Sequence, residues 1–164
     1  MARLLVVHHS PTPTVQRLTD AVLAGTRDEE IVGVDVVVLA ALDAHADDVL
    51  AADGLLLGTT ANFGYMSGAL KHFFDTIFLE AGGALGDDGS AAAGTGALGR
   101  QPWGLFVHGR YDTTGAVRSV ETIVGALPWR RAAPVLEVLG DPTDEQLGAA
   151  YELGATLAAL LIDS

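Results

Sequence analysis

The chain has no cysteine among its 164 residues. That excludes disulfides, thiol redox chemistry and cysteine-based metal sites. It carries only one lysine, Lys71, and its formal net charge is −12. Non-specific binding to nucleic acid or to an anionic membrane surface is therefore disfavoured. The acidic balance fits a solvated surface or a basic protein partner. No apolar run reaches about 18 residues, so no segment reads as a membrane span. No signal-peptide pattern opens the chain, and the expected compartment is the cytoplasm. The first β-to-α turn lacks Gly-x-Gly-x-x-Gly, against a dinucleotide-binding Rossmann site. Ser10 has no Gly-x-Ser-x-Gly elbow around it, against hydrolase chemistry. The five histidines fall on different predicted elements or adjacent at one strand end, so no metal site is expected.

What is present is apolar sequence in a regular order. Nearly half of the residues are hydrophobic (49%), enough for one domain, 1–164, with a full core. Apolar runs at 3–8, 31–39, 53–59, 103–107 and 133–139 read as strands. Between them, apolar residues at helical spacing predict helices over about 13–26, 42–52, 67–77, 115–127 and 143–162. Thr143 and Gln146 are spaced as a capping box for the last. A glycine-rich stretch at 82–100 is expected to be a mobile loop. Alternating strands and helices predict an α/β three-layer sandwich around a five-stranded parallel sheet. In such sheets ligands sit beyond the strands' C-terminal ends. Unusual residues follow the first, third and fourth strands, which favours the order 2-1-3-4-5.

Three loops carry the candidate chemistry. The first, Ser10-Pro11-Thr12-Pro13-Thr14-Val15, clusters hydroxyls at a helix start. Helix capping accounts for one of them; three suit an anion such as a phosphate at the positive end of a helix. The second, Gly58 to Gly68, sets Phe63 and Tyr65 beside Asn62 among glycines. Either the aromatics pack on neighbours, or they offer stacking surface to a planar ligand whose polar edge meets backbone groups. The third, His108-Gly109-Arg110-Tyr111-Asp112-Thr113-Thr114-Gly115, offers a further aromatic and a cation.

The run Gly-Thr-Thr-Ala-Asn-Phe-Gly-Tyr-Met-Ser-Gly-Ala-Leu-Lys-His-Phe-Phe-Asp-Thr, 58–76, resembles the FMN-binding loop and following helix of flavodoxin-like NAD(P)H-dependent oxidoreductases, in their quinone-reductase branch. The whole chain follows that family's layout. The resemblance implies a flavodoxin-like fold, FMN as cofactor and NAD(P)H as electron donor, with a quinone or other small molecule as acceptor. It implies that Ser10, Thr12, Thr14 and Val15 hold the FMN phosphate. Thr60, Ala61, Asn62, Phe63 and Gly64 would line the isoalloxazine ring, with His108, Gly109, Arg110 and Tyr111 at its outer edge and pyrimidine side. The chemistry would be borne by the flavin, with no catalytic side chain. Family members commonly assemble, and the apolar residues near 73–79 are candidates for a homodimer or larger assembly. Proline at position 13 removes one N–H donor from the phosphate turn. Two further readings stand beside the enzyme: a flavodoxin-type electron carrier, and a flavin-free interaction module.

Overall fold

A computed structural model describes residues 1–90 and 101–162. Its core is a sheet with β1 (Ala2–His8) at the centre of the first half. β2 (Val34–Ala40) and β3 (Gly54–Asn62) flank β1 in parallel, and β5 (Gln101–Gly109) continues the sheet beyond β3. Among the described residues the sheet has seven strands, five of them in the order 2-1-3-5-6 and two short ones paired beside that path, and not the expected five in the order 2-1-3-4-5. The two extra strands have local causes. β4 (Tyr65–Met66) folds back on the end of β3 as a hairpin, pairing Ala61 with Met66 and Asn62 with Tyr65. The last sheet position is split into β6 (Trp129–Arg131) and β7 (Leu136–Leu139), both parallel to β5. Trp103 of β5 faces Arg131, whereas Phe106 faces Leu136. The outer chain thus gains two residues across the gap, where Pro134 has no N–H to give to the ladder.

Among the described residues five helices cover the sheet: α1 (Pro13–Thr26), α2 (Ala46–Leu50), α3 (Gly68–Ile77), α4 (Thr114–Val124) and α5 (Asp144–Ala159). Side chains alternate along each strand, so each strand feeds both layers. Leu5, Val7, Leu55, Leu57, Leu105 and Val107 pack under α2, α3 and α4. Leu4, Val6, Leu56, Phe106 and Val138 pack under α1 and α5. Such strands are buried on both faces, which explains their continuous apolar sequence.

Several boundaries differ from expectation. β2 starts at Val34 rather than 31, because Gly33 turns the chain with φ +89°. α2 is shorter than expected, since the chain turns at 41–43 before the helix starts. α5 keeps its predicted start: Thr143 Oγ1 accepts from Gln146 N–H at 3.2 Å, and Gln146 Oε1 from Thr143 N–H at 2.9 Å. Phe73, Phe74 and Ile77 lie in the core and are not an assembly surface; Leu79 is the exposed residue of that run. The part of the expected mobile loop at 91–100 lies outside the described residues. Among those described, no helix is long and apolar enough to cross a membrane.

Candidate functional site

The C-terminal ends of β1, β3 and β5 open into a cleft of about 630 Å³. Three segments build it. Pro11, Thr12 and Val15 come from the turn into α1, Thr60 to Gly64 from the end of β3, and His108 to Asp112 from the end of β5. Of the residues expected there, Ser10 and Thr14 do not line it. Pro11 and Asp112 do; both lie in the candidate loops, though neither is among the residues expected to hold the ligand.

The β3 segment is not the irregular loop its composition suggests. Thr60, Ala61 and Asn62 are strand residues, and the turn is the dipeptide Phe63-Gly64. Both have positive φ, +50° and +76°, the requirement of a two-residue type I′ hairpin turn. Gly64 meets it freely. Phe63 does so at a cost of about 1 kcal/mol, and its ring is left wholly exposed, buried by nothing. Folding does not account for this placement. The hairpin is pinned from behind by α4. Met66 N–H donates to Ser119 Oγ at 3.2 Å, and a Cβ on Gly115 would overlap the Gly64 carbonyl. Across the cleft Tyr111 is 94% exposed. Between the two, Thr60 is only 8% exposed and its hydroxyl has no partner, a rare condition for a buried polar atom.

At the α1 end, Thr12 is the N-cap, and its Oγ1 accepts from Val15 N–H across 3.4 Å. Pro13 occupies the first helical turn, where a missing N–H breaks no intrahelical bond. Ser10 does not face the cleft. Its Oγ lies 2.8 Å from His8 Nδ1 and 2.6 Å from Thr19 Oγ1, so it braces the turn from inside. Thr14 Oγ1 accepts from Arg110 Nη2 at 3.2 Å. Arg110 had been expected at the ring edge; it also reaches the start of α1. His108 is buried and its Nε2 lies 2.8 Å from the Gly140 carbonyl, which ties β5 to the turn after β7.

Burial, with help from His9, holds the His8 imidazole below its ordinary pKa, against an opposing pull from Asp20. The fold therefore favours the neutral ring. Stability from this group is complete above the unfolded value of about 6.5 and is lost as pH falls through the lower folded value. His8→Gln should remove the fall in stability below pH 6.5 and add no pH dependence near pH 8; denaturant titrations at stepped pH measure this.

A sheet-end cleft at the switch in strand order, walled by exposed aromatics and ending at a helix start, defines a flavodoxin-like α/β protein. No family model matches the chain. It is 32% identical over 104 residues to a flavodoxin of Aquifex aeolicus, covering 63% of this chain and 53% of that protein. It is 29% identical over 134 residues to an NAD(P)H dehydrogenase (quinone) of Acidithiobacillus ferrooxidans, covering 70% and 62%. The chain thus spans less than two thirds of the length of these curated relatives. An archaeal flavodoxin structure superposes with a TM-score of 0.74 at 17% identity, covering 97% of this chain and 98% of that one. The chain has the flavodoxin-like fold.

Proposed function

We propose that the cleft binds FMN and that the protein passes electrons from NAD(P)H to a quinone or another small acceptor. The observation that carries this reading is the pair of solvent-exposed aromatics, Phe63 and Tyr111, standing over one cleft with Phe63 in a costly backbone conformation. A planar ligand would recover that cost by stacking. The residues fit the cofactor. The cleft volume is in the range of small-molecule sites, Thr60 offers an unpaired hydroxyl, and the start of α1 offers the positive end of a helix dipole.

When bound, the flavin supplies hydride acceptance and onward electron transfer. The chain's own residues bind and orient. Phe63 and Tyr111 cover the ring, the β3 edge from Thr60 to Asn62 meets its polar rim, and Thr12 with the α1 start receives the phosphate. The quinone-dehydrogenase relative supports an enzyme. The net charge of −12 and the flavodoxin relative support an electron carrier that docks a basic reductase.

The test is a flavin titration followed by an NAD(P)H oxidation assay on purified protein. Tight FMN binding with direct NAD(P)H oxidation supports the enzyme. FMN binding with no oxidation until a reductase is added supports the carrier. A protein that retains no FMN overturns both and leaves the flavin-free module. Within the same titration, Phe63→Gly should weaken FMN binding about tenfold through lost stacking, while changing unfolding free energy by less than about 1 kcal/mol.

A further inference from the structure

The phosphate end of the cleft is short of donors. Pro13 has no N–H, the Val15 N–H is aimed at Thr12 Oγ1, and Ser10 is engaged by His8 and Thr19. It is also set in a chain of net charge −12, which repels a dianion. Among the described residues lining the cleft, Arg110 is the one permanent cation. Its guanidinium bridges two segments: Nη2 donates to Thr14 Oγ1 at 3.2 Å, and Nη1 to Asp141 Oδ1 at 3.3 Å. Both contacts are long, and the Arg110 and Asp141 side chains are 64% and 79% exposed. Such a pair is weak and easily exchanged for a better anion. Asp141, in contrast, stands on a fixed base. Gly140 holds φ +72°, its N–H donates to the Gly109 carbonyl at 2.8 Å, and its own carbonyl meets His108. The carboxylate is thus a built-in anion beside a cation that has donors to spare. The buried, unpaired Thr60 hydroxyl on the same cleft is a separate sign that a ligand completes it.

We propose that Arg110 is the residue that selects phosphorylated flavin: held by Asp141 and Thr14, it exchanges the carboxylate for the FMN phosphate at the start of α1. This rests on the flavin reading above. It gives Arg110 a place at the phosphate, where the turn itself carries no cation, and it gives Asp141 the role of a competitor for that guanidinium.

The experiment compares FMN with riboflavin, which differs only in lacking the phosphate. Arg110→Gln should lower FMN affinity about tenfold or more and leave riboflavin affinity unchanged, as expected for loss of a charge-assisted contact. Arg110→Lys should restore part of the loss, since it keeps the charge without the fork. Asp141→Asn should raise FMN affinity about threefold, and should do nothing when added to Arg110→Gln. Equal losses for both flavins in Arg110→Gln would mean that the residue supports the ring or the loop, and the proposal falls. An Asp141→Asn gain that persists without Arg110 would be plain repulsion, which also overturns it. Wild-type protein that binds neither flavin defeats the flavin reading itself, and this inference with it.

Discussion

Gly154→Ala is expected to lower the unfolding free energy by about 3 kcal/mol. α1 and α5 cross with their backbones in contact, and glycine is the reason they can. A Cβ on Gly154 would overlap the Val22 carbonyl and lie 3.0 Å from Thr26 N; a Cβ on Gly25 would overlap the Tyr151 carbonyl and lie 2.9 Å from Ala155 N. The obstacles are main-chain atoms of packed helices, which cannot turn aside as a side chain does. Relief requires the helices to separate, and that opens the layer of Leu18, Val22, Leu153 and Leu157. Gly148 on the same helix is the control, since a Cβ there meets nothing. Gly148→Ala should stabilise by about 0.5–1 kcal/mol through helix propensity. Denaturant unfolding of the two variants, run side by side, should give shifts of opposite sign. Equal shifts would mean that the close crossing of α1 and α5 is not what Gly154 serves.

Gly115→Ala, at a residue that does not itself line the cleft, is expected to reduce flavin affinity by up to about tenfold, the loss set by removing the Phe63 ring outright. The added methyl would overlap the Gly64 carbonyl at the tip of the β3–β4 hairpin. The tip must then tilt, carrying Phe63 with it. The base of the hairpin stays anchored through Met66 and Ser119, so the loss of stability should be smaller than for Gly154→Ala. Equilibrium titration with FMN and thermal unfolding together separate the two effects. Unchanged affinity would show that the Phe63 wall does not hold the ring.

The layered architecture was legible because the long strands are built on apolar runs and most helices repeat their apolar residues at helical spacing. The missed elements are those whose sequence carries neither sign. Trp129-Arg130-Arg131 is two-thirds charged, and β4 is two residues long. Most of the cleft was legible as well, since the strand ends deliver Thr60 to Gly64 and His108 to Tyr111 together. The first turn was harder. A hydroxyl that faces a ligand and one that faces a histidine look alike in sequence, so Ser10 was misplaced although His8 and Thr19 were there to claim it. The contact of Arg110 with Thr14 joins positions 96 apart, and no local pattern encodes it.

The sheet separates two apolar layers that share none of their buried residues. The cleft is where this separation ends. One wall belongs to α1, which covers one layer; the other is the hairpin braced by α4, which covers the other. A molecule seated there acts as a rivet through the edge of a laminate. Its binding energy is withheld from any partial opening that peels off either layer, so a filled cleft makes two neighbouring cores unfold as one.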